Sequence, residues 1–100
     1  MAYEVRVSLD PSRGDAFEEW MRGHHVPAVL GSGCFTGAHF ERLSAGEYRT
    51  RYASATAGDL ERYLADHAPG LRADFAARFG GAQVAREVWE TREAWGGRAE

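Results

Sequence analysis

Two adjacent histidines at the end of an aromatic stretch are the residues best equipped for chemistry in this chain. The run Trp20-Met21-Arg22-Gly23-His24-His25-Val26-Pro27 holds two imidazoles, and imidazole gives or takes a proton near neutral pH. Neighbours on a helix lie about 100° apart, so the two rings cannot share one environment. His24 continues the spacing Phe17, Trp20, Met21, His24, which is i, i+3, i+4, i+7, and is expected in the buried stripe. His25 is expected on the flank beside Pro27, as a candidate general acid or base. The plain alternative is that His25 caps carbonyls freed by the proline.

Around His25, the candidate ligand-binding residues are Trp20, His24, Tyr48 and Arg51, with Tyr52 beside the last two as a further candidate for the site wall. Tyrosine and arginine suit the orienting of a small anionic or carbonyl ligand, although strand tyrosines commonly serve as packing with a hydrogen-bonded hydroxyl. Other chemistries lack their residues. All twelve bases are arginine, so there is no lysine for a Schiff base or general base. Cys34 is the only cysteine, which removes an internal disulfide and a cysteine-cluster zinc site, and it reads as a small buried filler. His24, His25, His39 and His67 match no recognised metal-ligand spacing, so the sequence calls for no metal and no cofactor. Glycine-rich phosphate loops and the nucleophile elbow are missing as well.

The elements that must position these residues follow from periodicity. Tyr3, Val5, Val7 and Leu9 alternate with polar residues, as in a half-buried strand over 3–9. Asp10-Pro11 starts a helix that runs to about His24, where Pro27 ends or kinks it, with a short turn to Leu30 and a stop at Gly31-Ser32-Gly33. Residues 34–43 and 47–54 read as a hairpin around Ser44-Ala45-Gly46. Thr56 and Asp59 cap a second helix carrying Leu60, Tyr63, Leu64 and His67, interrupted at Pro69 and resuming through Leu71, Phe75 and Phe79 to Gly80-Gly81. A last strand covers 82–92. The order is β-α-β-β-α-β, an α+β ferredoxin-like plan with a four-stranded antiparallel sheet. Each half also carries a His-x-Pro after an aromatic, at His25-Val26-Pro27 and His67-Ala68-Pro69. One domain is expected over 1–94, with a loose tail at 95–100.

A net charge of −3 argues against nucleic acid as a partner. The N-terminus lacks the apolar core of a signal peptide and no apolar run nears 18 residues, so the expectation is a cytoplasmic protein with no membrane contact. The expected partner is a second copy. Phe35 and Phe40 differ in parity and Trp89 opposes Val84 and Val88, which implies a sheet with apolar groups on both faces and only one face covered by helices. A bulge near Gly37 that re-phases the second strand is the competing explanation.

The string Trp20-Met21-x-x-His24-His25-Val26-Pro27-x-Val29-Leu30-x-x-Gly33-Cys34-Phe35 resembles domain-of-unknown-function family 4286, as do Tyr63-Leu64-x-x-His67-Ala68-Pro69-x-Leu71-Arg72 and Arg78-Phe79. The resemblance covers about residues 3–92. It implies a branch of the dimeric α+β barrel superfamily, whose members include cofactor-independent monooxygenases, haem-degrading enzymes, lactone isomerases, mutarotases and stress proteins. The haem-degrading members use an Asn, Trp and His set, and this chain has no asparagine.

The expectation is therefore a homodimeric small-molecule-binding barrel, acting by proton transfer or cofactor-independent oxygenation on a small polar or aromatic metabolite. The alternative is a non-catalytic dimerisation or ligand-sensing module with structural histidines. A cavity of about 300 Å³ with convergent polar groups beside His25 marks the first, and a filled, dry site the second.

Overall fold

Seven alternating residues make β1 (Ala2–Ser8) the centre of the molecule. In the computed structural model, which describes residues 1–96, β1 pairs antiparallel on both sides. Its neighbours are β3 (Glu47–Ala53) and β4 (Gln83–Trp89), and β2 (Gly37–Ser44) pairs with β3 at the far edge, giving the order β2-β3-β1-β4. The expected α+β ferredoxin-like plan is the observed one. Among the described residues no helix is long and apolar enough to cross a membrane.

Register sorts the side chains. Tyr3, Val5 and Val7 stand opposite Tyr52, Thr50 and Tyr48 on one side and Val88, Arg86 and Val84 on the other, all facing the helices. The opposite face carries Glu4, Arg6, Arg49, Arg51, His39, Glu41 and Glu87. The sheet is therefore apolar on one side and charged on the other, which corrects the expected two-sided apolar pattern. Phe40 lies opposite Thr50 and its ring meets Phe17 and Tyr48 on the helix side. Phe35 precedes the strand, so strand parity does not apply to it, and it packs on Tyr3, Tyr52 and Tyr63. Trp89 is the large apolar residue of β4 on the charged face. The bulge falls at Leu43, between Arg42 and Ser44, rather than near Gly37.

Charge on the open face is organised rather than scattered. The Glu4 carboxylate is only 3% exposed, covered by Arg6 at 2.9 Å and Arg51 at 3.3 Å. Arg49 reaches Glu41 at 2.8 Å one strand over. A carboxylate this well covered keeps its charge only with such partners.

The helices follow their caps. The Asp10 carboxylate accepts from the Ser12 N–H ahead of α1 (Gly14–Trp20), and Thr56 Oγ1 accepts from the Asp59 N–H at the start of α3 (Ala57–Asp66). The helical path from α1 does not stop at Pro27. It widens to a π-helical turn over Met21–His25 and continues as α2 (Val26–Leu30). Pro69 opens α4 (Ala68–Arg78), where its missing N–H costs nothing. Gly46 turns the β2–β3 hairpin at φ 79°, and a Cβ there would fall 2.3 Å from the Leu9 carbonyl oxygen.

Two ring clusters fill the space between helices and sheet. One gathers Tyr3, Tyr52, Tyr63, Leu60, Val29 and Cys34, with Cys34 2% exposed as the expected filler. The other centres on Phe17, fully buried among Tyr48 at 4.9 Å, Phe79 at 5.3 Å, Phe40 at 5.9 Å and Phe75 at 6.1 Å. Of the expected tail, Trp95 and Gly96 are exposed without regular structure, and 97–100 lie outside the described residues. Phe17→Ala should cost about 3–5 kcal/mol in denaturant unfolding, while Leu43→Ala, at a side chain 89% exposed, should cost under about 0.5 kcal/mol. Equal losses would mean that the ring cluster does not hold the fold.

Candidate functional site

The inward stripe of the first helix runs Phe17, Met21, His25, Val29, in steps of four, with His25 half-buried and the other three buried. Four residues of ideal α-helix turn about 400°, so such a stripe drifts by about 40° per step. A π turn, with more residues per turn, takes that drift back. The Val26 N–H bonds to the Met21 carbonyl, five residues earlier. Pro27 makes the α register costly here, because it offers no N–H and its ring presses on the carbonyl four residues before it, that of Gly23.

This phase reverses the expected roles of the histidines. His24 is exposed, and His25 points inward. Extrapolation at 3.6 residues per turn misplaced them, since the wide turn lies exactly where they sit. His24→Ala is accordingly expected to cost little stability, unlike a core truncation.

His25 lines a cavity between the helices and the sheet. Tyr3, Tyr52, Tyr63 and Phe75 give it aromatic walls, Thr50 and Val5 lie in the sheet beneath, and Arg72 and Arg86 stand with them. Its volume is about 30 Å³, a tenth of what an enclosed metabolite needs. The rings fill most of the space, yet the lining is not all apolar: three tyrosines, Thr50, His25 and the solvent-exposed Arg72 and Arg86 contribute to it. The Tyr3 hydroxyl accepts from Arg72 Nη2 at 3.0 Å.

Burial sets the protonation states. His25 is held down to about 4, chiefly because the imidazolium would be desolvated, with the charges of His24 and Arg86 adding to the effect and Asp74 opposing it. It is neutral at pH 7, and its Nδ1 is buried without a hydrogen-bond partner. The ring stacks on Trp20 at 4.7 Å and 22°, with Phe75 at 6.3 Å. Burial pushes the Tyr63 hydroxyl up to about 12 and raises that of Tyr52 further, so both stay protonated donors. The site thus offers a neutral proton acceptor against a positively charged, hydroxyl-rich wall.

Of Trp20, His24, Tyr48 and Arg51, only Trp20 is brought to His25. His24 is turned to solvent. Tyr48 and Arg51 sit on one strand at odd separation and so face opposite sides of the sheet. Tyr48 packs on Phe17 and donates to Glu18 Oε2 at 2.7 Å, while Arg51 covers Glu4 on the open face. Tyr52, the further candidate for the site wall, does line the cavity, and the residues missed were Tyr3, Thr50, Tyr63, Arg72 and Arg86. Matching parity in β1 and β3 would have found Tyr3 and Thr50. No local spacing links Arg72 to Arg86.

Element order, pairing and one-sided helices define a ferredoxin-like α+β domain, the fold of the dimeric α+β barrel proteins. The chain belongs to the family of the domain of unknown function DUF4286, whose model matches residues 1–89. No curated protein matches it. Among solved structures it is similar to the NE2512 protein of unknown function from Nitrosomonas europaea, with 13% identity over 95% of this chain and 94% of that one and a TM-score of 0.65. A variant of SnoaB, a cofactor-independent oxygenase from Streptomyces nogalater, is 12% identical over 93% of each chain, with a TM-score of 0.61. A variant of MhuD with two manganese protoporphyrin IX bound per active site is 18% identical over 97% of this chain and 100% of that one, with a TM-score of 0.65. Identities this low carry the fold alone.

Pro27→Ala supplies the missing donor and should let the wide turn tighten to α. His25 would then swing off the cavity wall, and its NMR titration midpoint should rise from about 4 toward the ordinary 6.5. A midpoint that stays put would show that packing, not the proline, holds the turn open.

Proposed function

We propose that this protein is a homodimeric small-molecule-binding α+β barrel in which His25 accepts a proton from a small polar or aromatic ligand. The observation that carries the reading is the buried, partnerless Nδ1 of a neutral imidazole set among hydroxyls and guanidiniums. Buried polar atoms are normally paired, so an unpaired one in a cavity wall is a place for a ligand's hydrogen-bonding group. A neutral imidazole is also the form a general base needs. SnoaB, by its description a cofactor-independent oxygenase, has the same fold, which supports a reading without a cofactor. A porphyrin does not fit the site, since a cavity of about 30 Å³ cannot admit a macrocycle.

The same small volume favours the second reading, a non-catalytic sensing or dimerisation module. Hydrogen–deuterium exchange separates the two. Wild-type protein in D2O should speed exchange at the acidic C–H of hydroxyaromatic ketones or 2-oxo acids, followed by NMR, and His25→Ala should not. Equal exchange with both proteins across the panel would leave the second reading in first place.

The acid side of the pH–stability curve gives an independent check on His25. Above about pH 6.5 the folded and unfolded states both leave it neutral, and its contribution is complete. Between about 6.5 and about 4 the unfolded chain binds a proton that the folded chain refuses, so stability is lost as pH falls, and the loss levels off below about 4. His25→Ala removes this term, so the difference between wild type and variant should fall across that window. A flat difference would place His25 in water.

The dimer reading rests on the uncovered face. Among the described residues no helix or strand lies over it, and Trp89 stands on it 46% exposed among carboxylates and guanidiniums that a two-fold axis can set against one another. Cytoplasmic localisation stays part of the same reading. Sedimentation at micromolar concentration should give a dimer that Trp89→Glu weakens, while Phe40, turned to the helices, makes no direct contact. A monodisperse monomer would remove the assembly.

A further inference from the structure

Most arginines in the chain have an acidic partner. Arg6 and Arg51 share Glu4, Arg22 and Arg42 share Glu18, Arg49 has Glu41, Arg62 has Asp59 and Arg92 has Glu90. Arg13 donates instead to the carbonyls of Arg78 and Gly80, and Arg78 lies over the Phe79 ring. The two that line the His25 cavity also have no acid: among the described residues neither Arg72 nor Arg86 is in an ion pair. Arg86 is also the one residue of β4 that brings a charge to the helix-facing side of the sheet, opposite Val5 between Val84 and Val88. Among the described residues no carboxylate lines the cavity.

Both arginine side chains are solvent-exposed, and a guanidinium at a cavity mouth with no acid to meet it is placed for an anion that arrives from outside. The volume limits what that anion is. Room of about 30 Å³ corresponds to roughly two water molecules, enough for a two-oxygen head group and too little for a ring. Arg72 gives one N–H to the Tyr3 hydroxyl and keeps four others for a ligand. Tyr63, Leu71 and Phe75, apolar or aromatic, also line the cavity, and of these Leu71 is half-buried rather than buried.

We propose that the cavity is a carboxylate seat: Arg72 and Arg86 hold the head group of a small organic acid whose aromatic or branched body stays outside, against the half-buried Leu71. Resting on the reading of His25 as the proton acceptor, this names the substrate class of that site.

Isothermal titration of the whole protein with phenylacetate and with its neutral isostere phenylacetamide tests the seat. Phenylacetate should bind and weaken as salt is raised, and phenylacetamide should bind at least tenfold more weakly. Arg72→Gln and Arg86→Gln should each cost about tenfold, the usual effect of one charge-assisted hydrogen bond. The pair together should abolish binding, with Arg62→Gln, away from the cavity, as the unchanged control. Arg72→Lys keeps the charge and reports whether loss in Arg72→Gln is only a folding defect.

Equal binding of acid and amide, retention in the double variant, or no binding by phenylacetate, benzoate and isovalerate would each overturn the seat. The proton-transfer reading fails separately. If phenylacetate binds through the arginines but leaves the His25 NMR titration unmoved, the carboxylate seat stands and the role of His25 falls. If binding survives both arginine changes but is lost in His25→Ala, the seat is wrong and the site remains.

Discussion

Everything at the candidate site depends on one missing hydrogen-bond donor. Pro27 cannot give an N–H to the turn before it, and the chain answers with a wider turn over Met21–His25 instead of a break. That turn keeps Phe17, Met21, His25 and Val29 in one line against the sheet. Without it, either His25 or Val29 would leave the interior, and Val29 is fully buried in the ring cluster around Tyr3. The local insertion thus aligns two stretches of helix with the sheet, and the imidazole is carried inward as part of that alignment. Single π turns recur at functional sites for this reason: they re-aim one side chain without ending the helix.

The two faces of the sheet divide the labour. The helix-facing side supplies rings, and rings packed edge to face leave little empty volume, which is why the cavity is small. Charge on that side is confined to its margins, at Arg42 beside Glu18 and at Arg86 in the cavity. The open side is a lattice of ion pairs around Glu4. A face built this way is soluble by itself, and it also meets a copy of itself with charges that can interlock. Salt therefore bears on association far more than it bears on the ring clusters.

The sequence made the element order plain, because alternation in Tyr3-Glu4-Val5-Arg6-Val7, the Thr56 cap and the glycines at 46 and 81 are local signals with local causes. It was less able to give register. Phe35 looked like a strand residue because the apolar run begins at Cys34, yet β2 starts only at Gly37. The histidine phase was hidden by the assumption of 3.6 residues per turn, which fails over the one turn that matters. Tyr48 and Arg51 looked like neighbours in sequence, and the pleat sends them to opposite sides. Arg72 and Arg86 come from a helix and an edge strand that meet only in the folded chain, so no spacing could announce them.

The strand order has a consequence for how the molecule comes into being. β1, made first, lies between β3 and β4, so one of its edges waits unpaired until residues 83–89 exist. Through that interval Tyr3, Val5 and Val7 border a row of open amides, the kind of edge that recruits stray strands. Arg86 arrives with the strand that closes this edge, opposite Val5. The cavity and the end of that exposure are thus completed by the same late event. A nascent chain that stalls before β4 is at once without its binding wall and at its most adhesive.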